Sequence, residues 1–417
     1  MPPGSPVGSP VGLRRFAARS ANYVERRART VHRRLTYGTA TAAVDPAAEE
    51  AEVLIYFPEG LKRRYQLTQW LPVVESVAAA RPAAVVLRSP GVHAELSETT
   101  ALPLALVRRY DDVMAFYERS SAKVIIYVNH GQLNFQSLTH RRALHVHVNH
   151  GESDKRSSFS NQAKAYDRVF VAGEVAERRY LDNVLEFEER RLVRVGRPPL
   201  DFLPPSILAP VDRPTVMYAP TWEGESIDND WSSVRVLGVP IVEQLLRTGA
   251  RVLYKPHPRI ATTLDLEVAA AHAAILRLLA ATPLEAGHAL VEGEVLATFA
   301  GVDALVTDIS AVGLDFLFAR PDCPLLLTDV RQDPEALARA TRLAAGVDVV
   351  EAGNVGGLGA LVTSRLASDA RRSDRFAVRS AYFGDMAPDG ESTKRFITEI
   401  DALCLLRDEL LAAAVRA

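Results

Sequence analysis

Val302-Asp303-Ala304-Leu305-Val306-Thr307-Asp308-Ile309-Ser310-Ala311-Val312-Gly313-Leu314-Asp315-Phe316 is the stretch from which the fold can be read. The apolar run 304–306 has the length and flanks of a buried parallel strand, and the segment after Ser310 reads as a helix, so the pattern predicts a strand, a tight turn and a helix. Ser310 stands at the N-cap or in the first turn, where the free N–H groups of Ala311 and Val312 point past the strand end. A helix start of that kind favours an anion, usually a phosphate. Two readings stand side by side here: a phosphate site, or Asp308 and Ser310 doing no more than capping a helix.

Outward from this junction the chain alternates. Strands are expected at 52–57, 83–88, 123–128, 144–148, 168–171 and 192–195, with helices at 67–80, from 89 to about 119, and from 174. After a crowd of prolines between 198 and 214 the alternation resumes. Strands are expected at 215–218, 252–254, 304–306 and 325–327, and helices near 242, at about 263–280, near 336, from about 355 and from 392. Strands separated by helices imply parallel sheets covered on both faces, and the prolines imply a stiff connection between two units. The expected organisation is an α/β protein: an N-terminal arm (1–45), two Rossmann-like doubly wound domains (46–205 and 206–400) facing each other across a cleft, and a C-terminal helix (401–417). Ligands of such sheets bind at the carboxyl ends of the strands. The chain carries no G-x-G-x-x-G after its first strand, no Walker A motif and no internal repeat.

Composition sets the outer limits. The 417 residues suffice for two domains with substantial cores, and 48% hydrophobic with 24% charged residues is the balance of a soluble globular protein. A net charge of −2 gives no case for a nucleic-acid partner. Cys323 and Cys404 stand in apolar surroundings without metal-ligand spacing and read as reduced core thiols, which suits the cytoplasm. No run approaches the ~20 apolar residues of a membrane span, and residues 1–12 lack the apolar core of a signal peptide. Residues 13–37, however, set Arg14, Arg15, Arg19, Arg26, Arg27, Arg29, Arg33 and Arg34 against the single acid Glu25. Apolar residues are interleaved at loosely helical spacing. Either a helix lying on an anionic membrane surface or a solvated arm fits this pattern.

Two histidines are placed for chemistry. His150 follows the strand 144–148 and is followed by Gly151. His257 lies in Lys255-Pro256-His257-Pro258-Arg259, where flanking prolines keep the turn out of a helix. A rigid loop holding a histidine between two cations suits phosphate handling. A histidine at a strand end is also a common structural feature, but two on opposite walls of a cleft beside a phosphate-type helix start favour function. His145 and His147 share a strand face with metal-type spacing but lack a further ligand at readable spacing. Asn129-His130-Gly131, after an earlier strand, reads as a turn or a second lining of the cleft.

These residues resemble a family, the CDP-glycerol glycerophosphotransferases of teichoic acid synthesis, which have a GT-B fold. The resemblance runs from about Lys123 to Ile400. His150-Gly151 with Lys155 is similar to the family's His-Gly-Thr-Pro-Leu-Lys box, and Val195-Gly196-Arg197-Pro198-Pro199-Leu200-Asp201 to its Gly-x-Pro-Arg-x-Asp turn. Met217-Tyr218-Ala219-Pro220-Thr221-Trp222 looks like its Tyr-Ala-Pro-Thr-Trp strand end. Lys255-Pro256-His257-Pro258 resembles its second histidine motif, and Thr307-Asp308-Ile309-Ser310 its Thr-Asp-Tyr-Ser-Ser helix start. Asp389-Gly390-Glu391-Ser392-Thr393-Lys394-Arg395 resembles its Asp-Gly-x-Ala-Ser-x-Arg box. Glu152-Ser153-Asp154 replaces Thr-Pro-Leu, and Ala311 replaces the second serine.

The resemblance implies transfer of glycerol phosphate, or a related polyol or sugar phosphate, from a CDP-activated donor to a hydroxyl of a lipid-linked cell-wall or capsule polymer, releasing CMP. His150 is then the general base toward the acceptor, and Glu152 and Asp154 are expected to raise its pKa or orient its ring. Gly151, Glu152 and Lys155 are the acceptor side. His257 stabilises the leaving group, with Lys255, Arg259, Thr221, Asp308, Ser310 and Ala311 around the donor phosphates. Ser392, Thr393 and Arg395 join them if the last box folds over the cleft. No cofactor is expected, with Mg²⁺ left open. The expected location is cytoplasmic, peripheral on the inner face of the membrane through the arm. Two alternatives remain: a UDP-sugar-dependent glycosyltransferase or epimerase on the same fold, and a nucleotide-binding module of a polymer-assembly complex.

Overall fold

Five consecutive residues, Val53-Leu54-Ile55-Tyr56-Phe57, are all buried, as a strand covered on both faces requires. They form the centre of an eight-stranded sheet in a computed structural model that describes residues 42–224 and 226–416. The arginine-rich segment 13–37 lies outside the described residues.

The first sheet comprises β1 (Ala42–Val44), β2 (Val53–Phe57), β3 (Ala83–Leu87), β4 (Leu104–Val107), β5 (Val124–Tyr127), β6 (Leu144–His147), β7 (Arg168–Val171) and β8 (Leu192–Arg194). Their order is β1-β4-β3-β2-β5-β6-β7-β8, parallel except that β1 runs antiparallel to β4. The second sheet comprises β9 (Thr215–Ala219), β10 (Arg251–Tyr254), β11 (Ala289–Leu290), β12 (Ala304–Thr307), β13 (Leu325–Thr328) and β14 (Asp348–Val350). Its order, β11-β10-β9-β12-β13-β14, is parallel throughout. Each order reverses once, between β2 and β5 and between β9 and β12, and a crevice opens at the carboxyl ends of the strands at such a point. The junction quoted from the sequence leaves the second of these.

The chain differs from its sequence reading in several places: β1, β11 and β14 are strands that the reading lacks, and β1, paired with β4, lies inside the arm expected at 1–45. The region 89–119 is not one helical stretch: helices Pro90–Leu96 and Tyr110–Arg119 flank β4. Leu104-Ala105-Leu106-Val107 is a four-residue buried run, too short for periodicity to separate strand from helix. The proline-rich segment is only partly a linker. Pro198, Pro199 and Leu200 are buried in a 3₁₀ turn, Pro198–Phe202.

The terminal helix begins where the sequence places it, near 392, but it is one continuous element, Glu391–Arg416, so the boundary expected at 401 falls inside it. Its first turn is fixed by side chains. Thr393 donates from both its backbone N–H and its hydroxyl to Asp201, each at 2.7 Å, and Ser392 Oγ accepts from the Arg197 N–H at 3.1 Å. The helix returns to the first sheet and buries Phe396, Ile400, Leu403 and Cys404 in its core beside Trp70 and Phe170. Each large apolar side chain so buried contributes about 1.5–3 kcal/mol. Arg81 and Lys123 pair with Asp401 and Asp408 at 2.8 and 2.7 Å along its flank. The last helix therefore carries the chain from the second half back onto the first sheet.

Candidate active site

Both sheets direct their carboxyl ends into one cleft of about 650 Å³, a volume suited to a nucleotide-sized ligand. His150 enters it from the end of β6. Asn149 holds a left-handed backbone (φ 54°), which asparagine tolerates better than most side chains, and this turns the chain sharply toward the cleft. The bend is anchored on both sides. Trp70 Nε1–H donates to the Asn149 carbonyl at 2.9 Å, and His147 Nε2 lies 2.9 Å from Asn149 Oδ1.

The His150 carbonyl accepts from Arg197 Nη2 at 2.9 Å, and Arg197 Nε donates to Asp315 on the opposite wall, also at 2.9 Å. Arg197 thus spans the two halves directly behind the histidine. Burial, reinforced by the Arg197 charge, pushes the His150 imidazole down to about 4. The ring is neutral near pH 7. Its Nδ1 is buried without a hydrogen-bond partner among the described residues, while the ring is hydrogen-bonded to the Val128 backbone. A neutral imidazole whose other nitrogen is engaged with a carbonyl keeps a free acceptor lone pair at Nδ1.

His257 has the opposite arrangement. Its backbone N–H donates to the Pro220 carbonyl at 3.1 Å, and its Nδ1 accepts from the Arg259 N–H at 3.2 Å. In the neutral ring the proton therefore resides on Nε2, a donor. Burial and the neighbouring cations Lys155, Arg259 and Lys255 push this imidazole down to about 3. Lys155 reaches across from the first half to donate to Thr221 Oγ1 at 2.8 Å, and burial pushes its ammonium down to about 8. Lys255, also buried, is lowered for the same reason. These groups surround the start of the helix Ala311–Ala319. Ser310 is its N-cap residue, but the hydroxyl makes no capping hydrogen bond; its polar neighbour is Thr307 Oγ1 at 3.4 Å.

The expected site residues divide accordingly. His150, Gly151, Lys155, Thr221, Lys255, His257, Ser310 and Ala311 all line the cleft. Gly151 and Ala311 face each other so closely that a Cβ on Gly151 would sit 2.9 Å from the Ala311 Cβ.

Six residues do not line it. Asp308 lies beneath the site, accepting from the Thr221 and Ser233 N–H groups at 2.7 and 3.2 Å and from Thr328 Oγ1 at 2.6 Å, so it ties the ends of β9, β12 and β13 rather than facing a ligand. Arg259 stacks its guanidinium over Trp222, 4.0 Å from the ring centroid. Ser392 and Thr393 are consumed in fixing the terminal helix, and Arg395 pairs with Glu391 one turn away at 3.4 Å; the last box does not cover the cleft. Glu152 is ion-paired with Arg179 at 2.6 Å, and Asp154 with the same arginine at 2.5 Å. Both acids are therefore engaged by Arg179 rather than by His150, whose pKa falls through burial and the Arg197 charge instead of rising. The ring nitrogens of His145 contact Tyr127 Oη and the His140 carbonyl, each at 2.8 Å, which uses them up as ligands. Among the described residues no three His, Cys, Asp or Glu side chains converge on a possible metal position.

Sequence reasoning missed Lys62, Arg64, Tyr65 and Glu294 in the lining, and Arg197 behind it. The basic run Lys62-Arg63-Arg64 just past the first predicted strand was the available signal for the first two. Arg197 stood inside a quoted motif but nothing marked it as the residue bridging the walls.

Two doubly wound domains that meet across a cleft at the carboxyl ends of their sheets define the GT-B fold. A family model described as CDP-glycerol:poly(glycerophosphate) glycerophosphotransferase matches residues 97–325. The chain belongs to that family. Among solved structures, the wall teichoic acid polymerase TagF is similar over 97% of this chain and 100% of its own, at 14% identity and a TM-score of 0.55. A putative UDP-N-acetylglucosamine 2-epimerase from Listeria monocytogenes is similar over 85% and 96%, at 13% identity and a TM-score of 0.57. Anabaena HepE, in complex with UDP and glucose, is similar over 84% and 100%, at 11% identity and a TM-score of 0.53. At these identities the likeness is one of fold. No curated protein matches.

Proposed function

We propose that the protein transfers glycerol phosphate, or a closely related polyol phosphate, from a CDP-activated donor to a hydroxyl of a growing cell-wall polymer. The observation that carries this reading is the complementary hydrogen bonding of the two neutral histidines. His150 offers an acceptor at Nδ1, and His257 offers a donor at Nε2, on opposite walls of one cleft. The acceptor hydroxyl oxygen attacks the phosphorus that bears the glycerol, its proton passes to His150 Nδ1, and the phosphorus–oxygen bond to CMP breaks. CMP leaves with the electron pair of that bond. His257 Nε2–H, Lys155, Lys255, Ser310 and the N–H groups of the helix start stabilise the charge on the phosphates. Such chemistry rests on positioning and charge stabilisation more than on covalent help.

Family membership supports the CDP-linked donor. A lipid-borne acceptor would be met at the membrane surface through the basic arm 13–37; no helix among the described residues is long and apolar enough to cross a membrane. Thermal-shift titration with CDP-glycerol, CDP-ribitol, CMP, UDP-sugars and GDP-sugars tests the donor. CDP-glycerol or CDP-ribitol should raise the melting temperature. A response confined to UDP-sugars would replace this reading with a glycosyltransferase or epimerase.

A further inference from the structure

The segment that follows His150 is fastened to both halves of the molecule by charged and polar groups that do not touch the cleft ligand positions. Arg179, on the helix Glu174–Asn183 of the first half, pairs with Glu152 at 2.6 Å and with Asp154 at 2.5 Å. The other Asp154 oxygen accepts from Thr341 Oγ1 at 2.6 Å and from the Tyr382 hydroxyl, both of which belong to the second half. Tyr382 further accepts from the Arg342 N–H at 3.1 Å, so its hydroxyl is held in place. All five side chains are nearly inaccessible: Glu152, Asp154 and Arg179 are 9%, 6% and 9% exposed, and Thr341 and Tyr382 are 4% and 1%.

Beside this cluster the halves meet backbone to backbone. A Cβ on Gly173 would lie 2.1 Å from the Tyr382 carbonyl oxygen, so only glycine allows the approach. A buried carboxylate is costly unless it is fully paired. Opening the halves here would strip Asp154 of two hydrogen bonds and leave it with Arg179 alone.

We infer that Asp154 is a positioning residue, a brace that joins Arg179 of one half to Thr341 and Tyr382 of the other and thereby sets where His150 stands relative to the helix start at Ser310. Only three residues separate it from His150, and the intervening Gly151 packs against Ala311 of that helix. A small rotation at the brace is therefore delivered directly to the spacing between base and phosphates. The brace also accounts for the departure from Thr-Pro-Leu: acids at 152 and 154 are the complement of a buried arginine at 179. The inference rests on the function proposed above for its kinetic readout, but not for its structural one.

The test uses the full chain carrying Thr341→Val and Tyr382→Phe together, which removes the cross-domain hydrogen bonds and leaves the Arg179 ion pairs and the side-chain volumes in place. With CDP-glycerol as the probe, kcat should fall about ten- to a hundredfold, the scale of a small misplacement of a catalytic group by a change remote from it, while donor affinity stays near wild type. Thr341→Ser, which keeps the hydroxyl, should retain the wild-type rate. Small-angle X-ray scattering on the unliganded double variant should show a broader distribution of inter-domain distances. Thr341→Val alone, with a smaller effect in the same direction, serves if the double variant folds poorly. A lowered melting temperature with unchanged kcat and unchanged scattering would overturn the inference and leave the cluster a packing feature. If the wild type itself fails to turn over CDP-glycerol, the proposed function falls, and the scattering comparison still decides the brace: an unchanged distribution overturns it.

Discussion

Ser310→Ala separates two tasks that a serine at a helix start can perform. A capping hydroxyl accepts a hydrogen bond from its own helix, and its loss costs about 1 kcal/mol of stability. The Ser310 hydroxyl makes no such bond, and its polar neighbour Thr307 Oγ1 is at 3.4 Å, at the outer limit of an O–H···O contact. Stability should therefore change by less than about 0.5 kcal/mol, the scale of a substitution that breaks no specific feature. If the hydroxyl donates to a donor phosphate, the same change removes a hydrogen bond to a charged group, worth about 1.5–3 kcal/mol. That corresponds to a drop in CDP-glycerol affinity of about one to two powers of ten. Cytidine, which carries no phosphate, should bind the variant as it binds the wild type. Calorimetric titration with both ligands and a melting curve on the same preparation are sufficient. Unchanged affinity for the diphosphate, or an equal loss for cytidine, would remove this junction from the phosphate site.

The remaining predictions follow from the charged groups and the arm. His257→Ala should weaken CDP-glycerol binding and slow turnover together, whereas His257→Gln, which keeps an N–H donor, should lose less of both; steady-state kinetics and calorimetry read the difference. The pH profile of kcat/KM should have its acid limb near 4, where His150 protonates, and its alkaline limb near 8, where Lys155 loses its charge. Stability should fall as the solution is acidified. His130 and His150 are held down to about 4 and His257 to about 3, against about 6.5 in the unfolded chain. Between those values the unfolded state binds more protons, so their contribution is present above pH ~6.5 and is lost toward the folded-state values, at about 1.4 kcal/mol per pH unit for each histidine. Melting curves from pH 7 to pH 4 should show this, with a shallower slope for His150→Gln. Deleting residues 1–37 should abolish salt-sensitive sedimentation with anionic liposomes while leaving CDP-glycerol binding intact.

Much of the fold was legible because buried parallel strands announce themselves. Runs such as Val53–Phe57 and 304–306 are continuously apolar, and turn residues bracket them. What escaped were short strands without such contrast: β1 and β14, three residues each, β4, four residues inside a region dense with helix formers, and β11, two residues long. At the site, residues that line the cleft from rigid strand ends were legible in local sequence: His150 beside Gly151, His257 between prolines, Ser310 at a helix start. Those that failed depend on distant partners. Glu152 looked like a neighbour of His150 because it is two residues away, yet its partner Arg179 lies 27 residues further on. Ser392 and Thr393 looked like phosphate ligands, but the turn at 197–201 claims them. No local pattern reports such pairings, and the bridging role of Arg197 was hidden for the same reason.

Phosphorus-31 NMR of the full chain with CDP-glycerol and a lipid-linked glycerol phosphate oligomer tests the proposed chemistry most directly, run in parallel on wild type and His150→Gln. CMP should accumulate one for one with new phosphodiester in the wild type, while the variant should still bind CDP-glycerol and lose about 10²–10⁴-fold in rate. No CMP from the wild type, or a variant that keeps its full rate, would contradict the assignment of His150 as base in a CDP-dependent transferase.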